Sequence, residues 1–387
     1  MNRRTFVTNA CLGTAGFFFE QAASRASEEV QLPPPPPIHV HGMPLTERSP
    51  WGMPGLFPGR VVEVFHSRSI LQNHVSQPVV RLMLEHGMQT LTGESSAQAA
   101  WERFFNPSDV VGIKINPSGA PACCSSPELV REIIRGVESA GVPTRNILIY
   151  DRYSTEIQAG SYHALLPVGI RVIGLEHRAR EVEAYDLNVY CEANFFGEWE
   201  TRSYLARVVT QQVTKIVNVP TLKDHSAAGV TGCLKNLGYG SFNNVARSHH
   251  APITFTDPLI GVMCSTEPLR SKAVLHIMDG LREVWHGGPL TQLQDFIDQA
   301  GILFLGTDPV AVDTIELQTI EKKRRQKGAL SLWDRNPANI VRSEREYFRD
   351  PHKNLFFRQP AHIEAAGKLG LGVWEPSKID HRRLDLG

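Results

Sequence analysis

Asp109-Val-Val-Gly-Ile-Lys114-Ile-Asn116, then Ser126-Pro-Glu-Leu-Val-Arg-Glu-Ile-Ile-Arg-Gly-Val137, then Asn146-Ile-Leu-Ile-Tyr150-Asp151-Arg152 is the stretch that decides the fold. Val110 to Ile115 is short and β-branched, which predicts a buried strand. Ser126 as a cap, Pro127 in the first turn and Glu128 at the positive end predict a helix start. Leu129, Val130, Ile133, Ile134 and Val137 follow at helical spacing, and Gly141 stops the helix. Asn146 to Tyr150 is the next strand. A strand, helix and strand in this order imply two parallel strands joined by a crossover.

The same alternation extends outward. Val61 to Phe65 reads as a strand, and Ser76 to Leu91 and Ala97 to Phe105 read as helices. Lys215 to Val219, Ala273 to Met278 and Ile302 to Leu305 read as further strands. Asp308-Pro309 opens a helix that ends near Gly328. The expectation is an α/β fold: a mostly parallel sheet with helices on both faces, in two lobes with a cleft at the carboxyl ends of the strands. The expected boundaries are a signal segment at 1–26, a proline-rich spacer at 27–57, an α/β domain at 58–245, a second α/β lobe at 246–343 and a polar tail at 344–387.

Lys+Arg and Asp+Glu both number 40, so no basic surplus argues for nucleic acid or an anionic membrane. Arg3-Arg4 precede Phe6, a weakly apolar stretch runs from Ala10 to Phe19, and Ala22-Ala23-Ser24-Arg25-Ala26 supplies small residues for cleavage. Paired arginines predict export of the folded chain by the twin-arginine machinery, to the periplasm or the outside. No later segment approaches the length of a membrane span, so no integral membrane association is expected. Beyond Ala26 the cysteines are Cys123, Cys124, Cys191, Cys233 and Cys264. None forms Cys-x-x-Cys, so no ferredoxin-type cluster motif is present. One or two disulfides with the remaining thiols buried is the expectation.

Ligands of open parallel sheets bind beyond the strands' carboxyl ends. The predicted strands carry there Lys114 and Asn116; Asp151 and Arg152; Lys223, Asp224 and His225; Asp279; and Asp308. Asp308 reads first as a helix cap. The densest run spans Pro220 to Asn244, where Gly229, Gly232, Gly238 and Gly240 would let backbone approach an anion closely. Lys235 and Asn236 lie in it, and His249-His250 follow. The expected roles are acid–base chemistry at His225, with Asp224 orienting it or binding metal. Lys235 and Lys223 would hold an anionic substrate or tether a cofactor. Lys114, Asn116, Asp151, Arg152, Gly229, Gly232 and Asn236 would complete the binding surface, and His249, His250 and Asp279 would be metal ligands.

Three segments carry a resemblance to a known family: Asp109 to Asn116, Pro220-Thr-Leu-Lys223-Asp224-His225 through Lys235-Asn236-Leu, and Asp308-Pro-Val-Ala-Val-Asp313. From about Pro58 to Gln326 the chain resembles the exported branch of the "domain of unknown function 362" family. Some members carry a ferredoxin-like module, whose cysteine clusters this chain lacks. His225, Gly229, Gly232, Lys235 and His249 or His250 also follow the order seen in lactate racemase and its relatives, which use a nickel pincer nucleotide. That resemblance implies a base at His225, a cofactor tether at Lys235 and nickel binding at His249 or His250. The racemases have a second catalytic histidine where this chain has Asp151-Arg152-Tyr153, so two-base racemisation is not implied. The function expected is an exported enzyme, a metal- or cofactor-dependent isomerase or oxidoreductase acting on a small anion. The alternatives are a small-anion or metal binding protein and a maturation partner for another exported metalloprotein.

Overall fold

The computed structural model describes residues 34–44, 49–176, 181–250, 253–341, 343–355 and 360–387. The expected signal segment, 1–26, lies outside them. The chain divides into two units, 1–35 and 36–387, and the architecture that follows is that of the second.

Its centre is a ten-stranded sheet. The principal strands are β1 (Arg60–Phe65), β2 (Val111–Lys114), β3 (Ile147–Tyr153), β4 (Arg171–Glu176), β5 (Lys215–Asn218), β6 (Thr221–His225), β7 (Ala273–Val284), β8 (Ile297–Gly306) and β9 (Asp380–Asp385). The order is β9-β1-β8-β7-β5-β2-β3-β4, with β6 also pairing with β7. The run β7-β5-β2-β3-β4 is parallel throughout, as are β6 with β7 and β9 with β1. Among these principal strands β8 runs against its neighbours β7 and β1, and the short strand Gly229–Val230 runs against β6. The fold is therefore α/β with a mostly parallel sheet.

Successive strand residues face opposite sides, and the apolar ones sort accordingly. Ile149 and Val217 join one core, with α1 (Gln77–Thr92), α2 (Ala97–Glu102) and α3 (Pro127–Ser139). Leu148 and Ile216 join the other, with α4 (Gly232–Ser241), α5 (Thr256–Ser265), α6 (Pro309–Gln326) and the later α8 (Ala361–Lys368). Between these last two lies the short helix α7 (Glu344–Tyr347). No described helix is long and apolar enough to cross a membrane.

Several expectations change at this level. Strands from 58–245 and from 246–343 share one continuous sheet, because β7 and β8 insert between β5 and β1. The polar tail contributes α8 and the edge strand β9; its polarity reflects an exposed sheet edge, where charged side chains discourage further pairing. The spacer contains a strand, His39–His41, that pairs with Tyr190 to Glu192 in a separate three-stranded sheet. The five cysteines from Cys123 onward are all free thiols, where disulfides were expected. Ser126 makes no capping bond to its own helix; its hydroxyl and backbone N–H both turn to Asp279.

Candidate functional site

Parallel pairing of β2 and β3 brings Lys114 beside Asp151, and the lysine ammonium donates to the aspartate Oδ1. It also donates to the Ile115 carbonyl at 2.7 Å and to Asn236 Oδ1 at 3.0 Å, and its side chain is fully enclosed. A buried ammonium needs such a complete set of partners, since one left unpaired would carry a large desolvation cost. Burial lowers the Lys114 pKa, and the Asp151 carboxylate opposes that shift. Gly240 of α4 lies directly against the ammonium. A Cβ there would collide with it, so glycine is what lets the helix approach the lysine.

The network continues through amides. Asn236 Oδ1 also accepts from Asn116 Nδ2 at 3.0 Å, and Asn236 Nδ2 donates to Asn218 Oδ1 at 2.7 Å. Asn116 Oδ1 in turn accepts from the Lys223 ammonium at 2.7 Å, which donates as well to the Ser118 carbonyl at 2.5 Å. Asp151, Lys114, Asn236, Asn116 and Lys223 thus form one buried hydrogen-bonded chain across four elements. Burial lowers the Lys223 pKa too.

This chain floors a cavity of about 870 Å³, whose walls include Arg152, His225, Lys235, Tyr239 and His249. His225 Nδ1 accepts from the backbone N–H groups of Ala227 at 2.9 Å and Ala228 at 3.3 Å. Two donors on Nδ1 fix the tautomer with hydrogen on Nε2. The ring stacks on His249, centroids 5.5 Å apart and planes 18° apart, and Tyr239 meets His249 edge-on at 4.9 Å. Burial, then the nearby Lys235, His249 and Lys223, hold His225 well below its ordinary pKa, so the ring is neutral. Lys235 is half-buried on α4, its ammonium 5.0 Å over the Tyr239 ring. Burial, followed by repulsion from Lys223, Arg152 and Lys114, brings its pKa down to about 7.

Lys114, Asn116, Asp151, Arg152, His225, Lys235, Asn236 and His249 therefore share one cleft, with Lys223 bonded to its floor. Arg152 is engaged with Glu176. Other expected site residues serve elsewhere. Asp224 does not orient His225. Strand alternation points it the opposite way, where it accepts from the Gly288 N–H at 2.7 Å and the Tyr347 hydroxyl at 3.2 Å, with Arg324 at 3.8 Å. Asp279 is no partner of the histidines: it accepts from the Ser126 N–H at 2.7 Å and the Leu281 N–H at 3.0 Å. Gly229 at φ +77° packs on Pro360, and Gly232 at φ +60° packs on the Asp313 carboxylate, so both glycines admit protein groups and not a ligand. Asp313 accepts from the first N–H groups of α4, those of Cys233 and Leu234. The His250 side chain lies outside the described residues. Among the described residues no three His, Cys, Asp or Glu side chains converge as a metal cage.

Sequence reasoning passed over Asn218, Tyr239 and the segment around α7, whose Arg345, Phe348 and Arg349 line the cavity mouth. Asn218 closes the predicted strand Lys215 to Val219, and its position at a carboxyl end was the available signal. Nothing in the polar tail marked α7 as part of the site.

Comparison with curated proteins gave no match, and neither did comparison with solved structures. The family model described as "Domain of unknown function (DUF362)" matches residues 111–318, from the first residue of β2 into α6. The match spans more than half of the 387 residues and contains every residue of the buried network, and on that ground the chain belongs to the DUF362 family.

Proposed function

We propose that the cleft binds a small organic anion and moves a proton at it, with Lys235 as the base and His225 as an N–H donor. One observation carries this reading: His225 Nδ1 is saturated by two backbone N–H groups in a cavity that also presents a lysine amine. A ring held this way accepts no proton at Nδ1 without losing both bonds. Its Nε2–H is instead a preorganised donor, suited to an oxygen on which charge develops. Lys235, at about 7, supplies free amine at neutral pH and is matched to general-base work. The acid–base role expected of His225 thus divides between two side chains.

The test follows hydrogen exchange. The protein is incubated in D2O with small 2-oxo acids, whose C3 protons are acidic, and deuterium uptake is read by mass spectrometry. Exchange that is lost in Lys235→Met and kept in part in His225→Gln, which retains an N–H at similar reach, supports the reading. Binding without exchange would assign the chain to the small-anion binding class instead. Absence of both would overturn the anion site.

A second reading rests on His225, Lys235 and His249 lining the same cavity. The resemblance to the lactate racemase relatives would give Lys235 to a cofactor tether and His249 to nickel, and such a cofactor supplies hydride-accepting chemistry. The residues fit in part: the Lys235 amine is nucleophilic when neutral, whereas Asp151 and Arg152, engaged with Lys114 and Glu176, offer no second imidazole. Intact mass and elemental analysis of protein folded in the cytoplasm decide it, through a covalent adduct on Lys235 with stoichiometric nickel. Export by the twin-arginine route is also proposed, on Arg3-Arg4 before Phe6. Arg3→Lys with Arg4→Lys should leave precursor in the cytoplasm, and normal export of that double variant would overturn it.

A further inference from the structure

The cleft holds two sets of basic side chains, Lys235 on one element and Arg345 with Arg349 on another. At the inner end Asp151 is committed to Lys114, which leaves Lys235 facing the cavity. Glu156, which also lines the cavity, accepts from the Ser118 hydroxyl at 2.5 Å, and burial raises its pKa. At the mouth, Arg345 of α7 and Arg349 in the turn that follows it both line the cavity. Both are exposed and neither makes an ion pair among the described residues; Glu344 beside them is exposed as well. Apolar side chains share the lining with these basic groups. Leu290 is 57% exposed and Leu293 45%, an unusual outlay of leucine on a surface, and Phe348 faces the same space.

Resting on the reading of the cleft as an anion site, we propose that its occupant is a linear dianion, with an acidic group at each end and an apolar middle. The inner group meets Lys235 and the Nε2–H of His225. The outer group meets the guanidinium pair of Arg345 and Arg349, whose planar donors suit a carboxylate or a phosphate. The apolar middle covers Leu290, Leu293 and Phe348. A volume of about 870 Å³ is more than a two- or three-carbon acid fills and falls within the range of sites for larger organic ligands.

Isothermal titration of the full-length protein tests this with straight-chain dicarboxylates from succinate to azelate, each paired with the monocarboxylate of equal carbon number. At the chain length that spans the cleft, the diacid should bind about tenfold or more tightly than the monoacid, the worth of one charge-assisted contact. Arg345→Gln with Arg349→Gln should erase that difference and leave monoacid affinity unchanged. An α,ω-bisphosphate of the best length, titrated alongside, distinguishes phosphate from carboxylate at the ends. Diacids and monoacids binding equally at every length would overturn the dianion proposal while leaving the anion site standing. No binding by any of these acids would overturn both. Equal loss of monoacid and diacid affinity in the double variant would also overturn it, by placing both arginines on a single anionic group.

Discussion

The Tyr347 hydroxyl reaches Asp224 Oδ2 at 3.2 Å across 123 residues of sequence, pinning the segment at the cavity mouth to the strand that carries His225. Asp224 lies between Lys223 and His225 on β6 and faces away from both, so one strand supplies the cleft with one face and anchors its closing segment with the other. His286 adds a second hold: its Nδ1 accepts from Arg324 at 3.2 Å, so Nε2 carries hydrogen and donates to the Tyr347 carbonyl at 2.8 Å.

Tyr347→Phe is therefore expected to loosen residues 343–349 before it affects the sheet. The global loss should be about 1.5 kcal/mol, a hydrogen bond to a charged group. Burial, opposed by Arg324, raises the Asp224 pKa to about 6. A carboxyl raised in the folded state binds more protons folded than unfolded between about pH 4 and 6, so its contribution to stability falls as pH rises through that window. The tyrosine donor favours the carboxylate and offsets part of that fall. The variant should accordingly lose more stability at pH 8 than at pH 4. Chemical denaturation at both pH values, with limited proteolysis at the mouth, checks this; equal losses would detach Tyr347 from Asp224.

How much of this could be read from the sequence depends on whether burial and polarity agree. They agree in β2, α3 and β3, where β-branched runs and a Ser-Pro-Glu helix start pointed to the observed elements. They conflict in β6, where Lys223, Asp224 and His225 form a buried strand of their own, although they fall beyond the predicted strand Lys215 to Val219. They conflict again in α4, whose glycines suggested a close backbone approach to an anion. Those glycines admit Asp313 at Gly232 and Lys114 at Gly240, and only the packed structure reveals partners so far away in sequence. The grouping of strand-end residues was legible because parallel topology collects carboxyl ends at one edge. Which way each side chain points was not, since it depends on register, and Asp224 and Asp279 left the site for that reason.

The Lys114–Asp151 pair should be costly to break from one side. Lys114→Met leaves a buried carboxylate without its ammonium, and such losses run to about 3–5 kcal/mol. Gly240→Ala attacks the same spot through sterics and should cost about 1–3 kcal/mol, as overpacking does. The two sites are in contact, so their effects should not add. A double-mutant cycle measured by urea unfolding checks it. Full additivity would mean that the glycine is not there to admit the lysine.

Lys235→Met should abolish anion binding while the fold survives. Its amine faces the cavity over Tyr239 and makes no hydrogen bond to protein among the described residues, so removing it orphans no partner. The folded pKa, near 7, lies below the usual lysine value, so the folded chain binds fewer protons than the unfolded one between about pH 7 and 10.5. Wild-type stability relative to Lys235→Met should then rise with pH across that range. Thermal unfolding from pH 7 to pH 10 checks the sign. A flat difference would mean that the amine is solvated.

His362 offers the sharpest test of burial without compensation. It lies on α8, fully enclosed, and neither ring nitrogen has a hydrogen-bond partner among the described residues. A buried group with unmet hydrogen-bonding capacity costs stability, and replacing it with an apolar residue of similar size can be neutral or favourable. Burial, with a smaller push from Lys235, lowers its pKa to about 3, so the ring is neutral in the fold and protonates readily once unfolded. A base depressed in this way binds fewer protons folded than unfolded between about pH 3 and 6.5, and stability therefore falls as pH drops through that window. His362→Leu removes this term. At pH 7 the variant should be at least as stable as the wild type, and its acid unfolding midpoint should move to lower pH. A large loss at pH 7 would instead mean that the imidazole satisfies a group near Lys235 or His225, both close enough to share its electrostatics, and would bring His362 into the site.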